Sequence, residues 1–222
     1  MSNKRCKLAV FDLDGTLLDT IGDLAASCNE MLRMRSLQEH TLDDYRHFVG
    51  NGITRLVERA LPEHLRTTEY IAEARRDFMA YYIDHLDLHT VPYDGIEELL
   101  RQLSAEGVTL AVASNKFDAA TKQLVSKIFP DIAFKAVWGN RDDFPLKPDA
   151  ALLRQIMEEC NATPESCYMI GDSGVDMLSA HAAECHSIGV TWGFRSREEL
   201  VEHRAEQIVD SPAEILHIIL EA

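Results

Sequence analysis

Leu8-Ala9-Val10-Phe11-Asp12-Leu13-Asp14-Gly15-Thr16 is the stretch that decides how this chain is read. Four consecutive apolar residues, bounded by polar ones, suit a short strand buried on both faces, as in a parallel sheet. Asp12 ends that run directly. A carboxylate in that place is costly unless a cation meets it. Asp14 follows two residues later. In an extended segment the two side chains share a direction, while Gly15 signals a turn.

Similar apolar runs recur at Thr109–Ala113, Tyr168–Ile170 and Ser187–Val190, with a weaker one at Ala136-Val137-Trp138. Helical patterns separate them. One is capped by Asp94, runs through Ile96, Leu99, Leu100 and Leu103, and closes at Gly107. Another follows Pro148 with Leu152, Leu153, Ile156 and Met157, and a third follows Asp172 with Met177, Leu178, Ala180 and Ala183. Ser211-Pro212 opens a last one carrying Ile215, Leu216, Ile218 and Ile219. Strand–helix alternation predicts an α/β fold with a doubly wound parallel sheet.

Thr20 to His89 breaks the alternation with helical patterns alone. Leu24, Cys28, Met31 and Leu32 share a face, as do Ile53, Leu56, Val57 and Ala60, and then Ile71, Ala74, Phe78, Tyr81 and Tyr82. The expected division is an α/β core of residues 1–18 and 92–222, with an all-helical insertion over 19–91. Val91-Pro92-Tyr93-Asp94-Gly95 reads as the return hinge. Phe78, Tyr81 and Tyr82 read as insertion core. No internal repeat or low-complexity segment is visible.

The 222 residues are 46% hydrophobic and 27% charged, an ordinary globular balance. The formal net charge is −15 and the pI about 4.9. Such a surface repels phosphate backbones, which argues against nucleic acid and anionic membranes as partners. A small anionic substrate would need local positive charge from a metal, lysine, arginine or helix N-termini. The five cysteines, Cys6, Cys28, Cys160, Cys167 and Cys185, are scattered and form no Cys-x-x-Cys pair. That disfavours a zinc site or a disulfide framework and suits a reducing cytoplasm. The nine histidines show no metal-ligand spacing. The basic start, Met1–Lys7, precedes a strand-like run rather than a signal core, and no run of about 18 apolar residues occurs. The expectation is a cytoplasmic protein, monomeric or homodimeric.

Four polar clusters follow expected strands: Asp12/Asp14, Ser114-Asn115-Lys116, Lys147, and Gly171-Asp172-Ser173 with Asp176. In open α/β sheets such strand ends converge on the site. Carboxylates gathered from Asp12, Asp14 and Asp172 repel, and Mg²⁺, which prefers hard oxygen ligands, relieves the repulsion. Asp176 lies one helical turn beyond Asp172. Lys147 offers a compact positive charge to a phosphoryl oxygen, and Ser114 and Asn115 offer hydrogen-bond donors. These parts suit phosphoryl transfer with a carboxylate nucleophile. The plainer alternatives are a calcium-like loop or turn at Asp12–Thr16, a helix N-cap at Ser114 and a surface acid at Asp176, while Lys116 reads evenly as a substrate contact or a solvated lysine. Glu97-Glu98, Glu158-Glu159 and Glu198-Glu199 read as solvated helix faces.

The set Asp12-x-Asp14-Gly15-Thr16, Ser114, Lys147-Pro148 and Gly171-Asp172-x-x-x-Asp176 resembles the four motifs of the haloacid dehalogenase superfamily, phosphatase branch. The helical insertion falls where that superfamily carries a cap. Asp19-Thr20, Val49-Gly50-Asn51-Gly52, Leu56–Leu61, Ser114-Asn115-Lys116 and Gly189–Gly193 are similar to the phosphoglycolate phosphatases. The resemblance implies that Asp12 attacks phosphorus and that Asp14 protonates the leaving alkoxide and then activates water. It implies that Mg²⁺ is held by Asp12, the Asp14 backbone carbonyl and Asp172, with Asp176 behind. Ser114, Asn115 and Lys147 would hold the phosphoryl group. Ser114 in place of a common Thr, and Phe117 in place of a common Pro, are minor departures. The expected substrate is a small phosphorylated metabolite, 2-phosphoglycolate first. Sister activities are a β-phosphoglucomutase-like transfer, a pyrophosphatase and a nucleotidase. A haloacid dehalogenase lacks the second aspartate, and a phosphonatase needs a cap lysine, yet no lysine occurs between Lys7 and Lys116. A non-catalytic binding module would have lost a nucleophile or ligand, and none is missing. Gly50-Asn51-Gly52 reads either as a turn before a helix capped by Asn51 or as a loop closing over the substrate. In the second reading Arg55 or a backbone N–H meets the substrate's carboxylate. Trp192 reads as packing beside the site.

Overall fold

In the computed structural model, residues 6–141 and 144–221 are described; the basic residues Met1–Arg5 lie outside that range. Six strands form one parallel sheet in the order β5-β4-β1-β6-β7-β8. They are β1 (Leu8–Phe11), β4 (Thr109–Phe117), β5 (Phe134–Asn140), β6 (Cys167–Gly171), β7 (His186–Val190) and β8 (Gln207–Val209). β1 lies centrally and pairs with β4 and β6, Phe11 standing opposite Val112 on one side and Ile170 on the other. Its side chains alternate between faces. Ala9 and Phe11 belong to one buried layer, with Leu110, Val112 and Ile188, while Leu8 and Val10 belong to the other, with Ala111, Met169 and Leu153. Burial on both faces accounts for the unbroken apolar runs.

The chain travels outward from β1 through β4 to β5, then crosses to β6, β7 and β8 on the other side. The reversal places a crevice at the carboxyl ends of β1, β4 and β6. Helices α5 (Ile96–Ala105), α6 (Asp118–Ile128), α7 (Ala151–Glu159), α8 (Gly174–Ala183), α9 (Arg197–Glu202) and α10 (Pro212–Glu221) follow the strands and flank them. α6, α9 and β8 are not among the expected elements; β8 is only three residues long, and its first is polar. Asp94 does not cap α5. Gly95 occupies that place at φ +83°, a backbone conformation an L residue rarely takes.

Between β2 (Leu18–Asp19) and β3 (Val91–Pro92) the chain is helical: α1 (Ile21–Met34), α2 (Leu42–Phe48), α3 (Gly52–Ala60) and α4 (Thr68–His85). Cys28, Met31, Leu32, Tyr45, Val57, Phe78 and Tyr82 are fully buried there, whereas Tyr81 is half-buried and stacks on His85. Thr41 forms a reciprocal capping box with Asp44, and the Thr67 hydroxyl accepts from Tyr70 N, so α2 and α4 have locally encoded starts. Asn51 sits at the N-cap position of α3, but its side-chain oxygen accepts from Arg59 instead of a helix N–H. β2 and β3 pair antiparallel, Leu18 opposite Pro92. The buried Asp23 carboxylate accepts from His89 N, Thr90 N and the Thr90 hydroxyl at 2.7–3.0 Å, pinning the return of the chain to the start of α1.

Candidate active site

Asp12 follows β1 and lies where the sheet order reverses; its backbone N–H donates to Ile170 O at 2.9 Å. Asp172 follows β6, and Asp176 lies in the first turn of α8. One carboxylate oxygen from each of Asp12, Asp172 and Asp176 falls within 4.8 Å of the others. Among the described residues this is the one such group of histidines, cysteines and acids placed to hold a metal ion. Burial, partly countered by the Lys147 charge, pushes the Asp12 carboxyl up to about 7. Burial and the neighbouring charges of Asp176 and Asp12 likewise raise Asp172. Asp12 Oδ1 is buried without a hydrogen bond of acceptable geometry, although the Lys147 ammonium lies 3.0 Å away. A buried all-oxygen cluster with excess negative charge matches a hard divalent cation such as Mg²⁺.

Glycine makes the close packing around Asp172 possible. At Gly15, with φ +87°, a Cβ would collide with the Asp172 carboxylate; at Gly193 it would strike both Asp172 and the Gly15 carbonyl. Phe194 N donates to Asp172 Oδ2 at 2.7 Å, and Trp192 Nε1 donates to Thr16 O at 3.1 Å. The segment after β7 thus buttresses the first motif, and Trp192 lies where its packing role was expected.

Lys147 is buried, and its ammonium donates to Ala113 O at 2.7 Å and to Asp176 Oδ1 at 2.6 Å. Asp176 Oδ2 accepts from the Ser173 N–H at 3.1 Å and from its hydroxyl at 2.6 Å. Asp176 therefore caps α8 and orients Lys147 with the same carboxylate. It is buried, not the surface acid of the plainer reading. The Asn115 amide forms a two-bond clamp on the Lys147 backbone, donating to its carbonyl at 3.0 Å and accepting from its N–H at 2.9 Å. Its side chain positions Lys147, a role that spacing could not reveal, and Asn115 also lines the cavity at this sheet edge.

Ser114, Asn115 and Lys116 lie at the end of β4, where the β4–β5 register breaks between Ala113 and Phe117. The irregularity frees three residues from the ladder and aims them at the cavity. Ser114 is mid-strand, not a helix cap, and its hydroxyl accepts from Lys116 N at 3.2 Å. Lys116 is not solvated. It is buried, donates to both Asp14 oxygens at 2.9 and 3.2 Å, and lies 5.0 Å from the centre of the Tyr82 ring of α4. Its partners, with Asp14 first among them, hold its ammonium above the ordinary range against the cost of burial. Asp14 faces this lysine and is outside the three-acid group.

One cavity is lined by Asp12, Asp14, Ser114, Lys116, Lys147 and Asp172 on the sheet side. Leu24, Val49, Ile53 and Leu56, with Gly50 and Gly52, cover it from the helical side. The free space inside it is small, about 40 Å³. Arg55 is not among the lining residues. It lies on the outer side of α3, mostly exposed and paired with Glu58, because the inner face of that helix carries Ile53 and Leu56. Arg195, three residues beyond Trp192, lines the cavity instead. Sequence patterning missed it, since an arginine in a turn after the last motif carries no signal. Glu199 also departs from a solvated face: it accepts from Gly174 N at 3.0 Å and lies 3.6 Å from Arg195.

A parallel α/β sheet with three acids, two lysines and a hydroxyl at its carboxyl edge defines a hydrolase-type phosphoryl-transfer site. The family model for haloacid dehalogenase-like hydrolases matches residues 9–190, and the chain belongs to that family. A phosphoglycolate phosphatase of Colwellia psychrerythraea is 33% identical over 215 residues, covering 95% of both chains. One of Agrobacterium fabrum is 36% identical over 220 residues, covering 96% of this chain and 92% of the relative. A crystal structure from Lactobacillus delbrueckii subsp. bulgaricus superposes with a TM-score of 0.92 at 31% identity, covering 98% of this chain and all of that one. All five cysteines are free thiols. Among the described residues no helix is long and apolar enough to cross a membrane.

Proposed function

We propose that the protein is a Mg²⁺-dependent phosphatase of small phosphomonoesters, with 2-phosphoglycolate as its substrate, glycolate and phosphate as products, and the cytoplasm as its compartment. The observation that carries this is the Asp12–Lys147–Asp176 arrangement facing Asp172 in a covered cavity. Residues 1–18 and 92–222 form the catalytic core in this reading, and 19–91 the cap.

The Asp12 carboxylate attacks phosphorus, the bond to the leaving oxygen breaks, and Asp14 gives that oxygen a proton. Water then attacks the aspartyl-phosphate, Asp14 takes its proton, and the phosphorus–Asp12 bond breaks. Lys147 offsets charge on the transferring group. The Ser114 hydroxyl adds a donor. Asp12, Asp172 and the Asp14 carbonyl would hold the cation, which supplies charge neutralisation for the phosphoryl oxygens. Asp176 has both oxygens engaged and acts through Lys147. Asp14 must leave Lys116 to deliver its proton, so the cap residue Tyr82, which packs on that lysine, ties closure to the acid–base step. Release of phosphate from 2-phosphoglycolate, measured with Mg²⁺ and with excess chelator, tests the reading; undiminished release in chelator sinks the metal role.

A further inference from the structure

Three cationic side chains line the catalytic cavity, and one of them is used differently from the others. Lys147 is held by Asp12 and Asp176, and Lys116 by Asp14. Arg195 directs its Nη edge to neutral carbonyls of the cap and only its Nε edge to an acid. Nη1 donates to Arg46 O at 2.6 Å, and Nη2 donates to Val49 O. Nε faces Glu199 at 3.6 Å. A guanidinium carries five N–H donors in a planar fork. Three are accounted for, which leaves one hydrogen on each Nη.

The surroundings favour an anion at that edge. The cap wall of the cavity is apolar, so Arg195 is its source of positive charge away from the phosphoryl end. A second cavity of about 500 Å³ adjoins the first, shares Arg195, and adds Arg59. Arg59 donates to Phe48 O and Asn51 Oδ1, both at 2.8 Å. Burial and the nearby charges of Arg195 and Arg55 lower its affinity for its proton. Two guanidiniums thus grip one loop, Phe48–Asn51, with Glu199 as the sole acid lining that second cavity. Local positive charge kept in a protein of net charge −15 is a place for a small anion.

We infer that Arg195 is the specificity-determining residue that grips the carboxylate of a phosphorylated small acid while the phosphoryl group faces Asp12 and Lys147 from the cavity. The planar fork matches a carboxylate through two parallel bonds. Glu199 holds the Nε edge, turns the Nη edge inward, and offsets part of the charge. The inference rests on the phosphatase reading and replaces the cap arginine, Arg55, with a core one.

Equilibrium binding to the Asp12→Asn protein, in Mg²⁺ buffer, separates the two. The ligands are 2-phosphoglycolate, its neutral amide, and the bisphosphate of ethylene glycol. The carboxylate is expected to bind about thirtyfold tighter than the amide, the worth of a charged hydrogen-bonded pair. Adding Arg195→Met should bring that ratio below about threefold, and Arg195→Lys should leave part of it. Glu199→Gln, which keeps an acceptor for Gly174 N, should raise the ratio. An unchanged ratio in Arg195→Met overturns the inference, as does equal weakening of both ligands, the mark of a purely structural strap. So does a larger Arg195 dependence for the bisphosphate than for the carboxylate, or a Glu199→Gln ratio that fails to rise. Failure of the unmutated protein to hydrolyse 2-phosphoglycolate, with Arg195-dependent carboxylate binding intact, sinks the phosphatase reading alone.

Discussion

The sheet edge and the helical cap solve different problems with different materials. At the sheet edge nearly every polar atom has an assigned partner: Asn115 clamps Lys147, Lys147 meets Asp176, and Asp176 caps α8. Those residues are buried and locked to one another at the carboxyl edge of the sheet, the arrangement that charge stabilisation without reorganisation requires. The cap faces the same cavity with Leu24, Val49, Ile53, Leu56 and two glycines, and has few directed bonds to the core. Arg195 supplies two of them by reaching the end of α2. Chemistry is thus fixed by directed bonds on one side, while the other side covers it with apolar packing.

Substitutions can break this contrast at either side. Asp12→Asn should have the largest effect, lowering phosphate release by on the order of 10⁴-fold, since an amide is a poor nucleophile and the triad-type residues act as a unit. The fold should survive, because the change removes a buried charge; thermal unfolding in chelator checks this. Lys147→Met should cost about 3–5 kcal/mol of stability in denaturant titrations, by leaving Asp12 and Asp176 buried without their cation, as well as about 10²–10³-fold in kcat. If the loss fell on activity alone, the buried network would not be structural.

On the cap side, Phe78→Ala empties a fully buried position and should cost about 3–5 kcal/mol. Hydrogen exchange should rise across α1–α4 while β1, β4 and β6 keep their protection. Equal loosening of the sheet would erase the distinction between the two regions.

Metal removal sharpens the same contrast through pH. Asp12 is raised from 3.8 to about 7, so the metal-free folded state binds more protons than the unfolded chain between those values. Its stability in chelator should therefore fall as pH rises through that window. Mg²⁺ takes the place of the proton, so the shift in unfolding temperature on adding Mg²⁺ should grow from about pH 5 to pH 8. A shift independent of pH would place the cation elsewhere. The smallest effect is expected for Arg55→Ala, within a few tenths of a kcal/mol and about twofold in kcat/KM, because its pair with Glu58 is exposed.

Much of the site was legible because its residues follow apolar runs directly. Asp12, Ser114 and Asp172 each stand at or just past a run whose burial is written in composition. Partnerships were not legible. Lys116 reads equally as a solvated lysine until β4 and α4 bring Asp14 and Tyr82 to it, 102 residues apart in the case of Asp14. That Asn115 clamps the Lys147 backbone, 32 residues away, is likewise invisible in the sequence. Asp94 has the chemistry of a cap, yet the turn required positive φ and α5 begins at Gly95. β8 escaped notice because three residues carry no periodic signal, and α6 because its buried face includes Ala120 and Thr121 beside Leu124 and Val125, a weak apolar stripe.

The sequence by itself determined the alternation of strands and helices, the helical break after β1, and the identity of the acids and lysine that stand at the strand ends. These are local properties, set by burial and by what can follow a buried strand. Only the tertiary structure decided which cation serves which carboxylate, and that Arg195, not Arg55, lines the cavity beneath the cap. Such choices depend on distances between segments far apart in the chain. At Asp12, whose charge Lys147 offsets and whose neighbour Asp172 stands ready to share a cation with it, they turn a strand-end carboxylate into a candidate nucleophile.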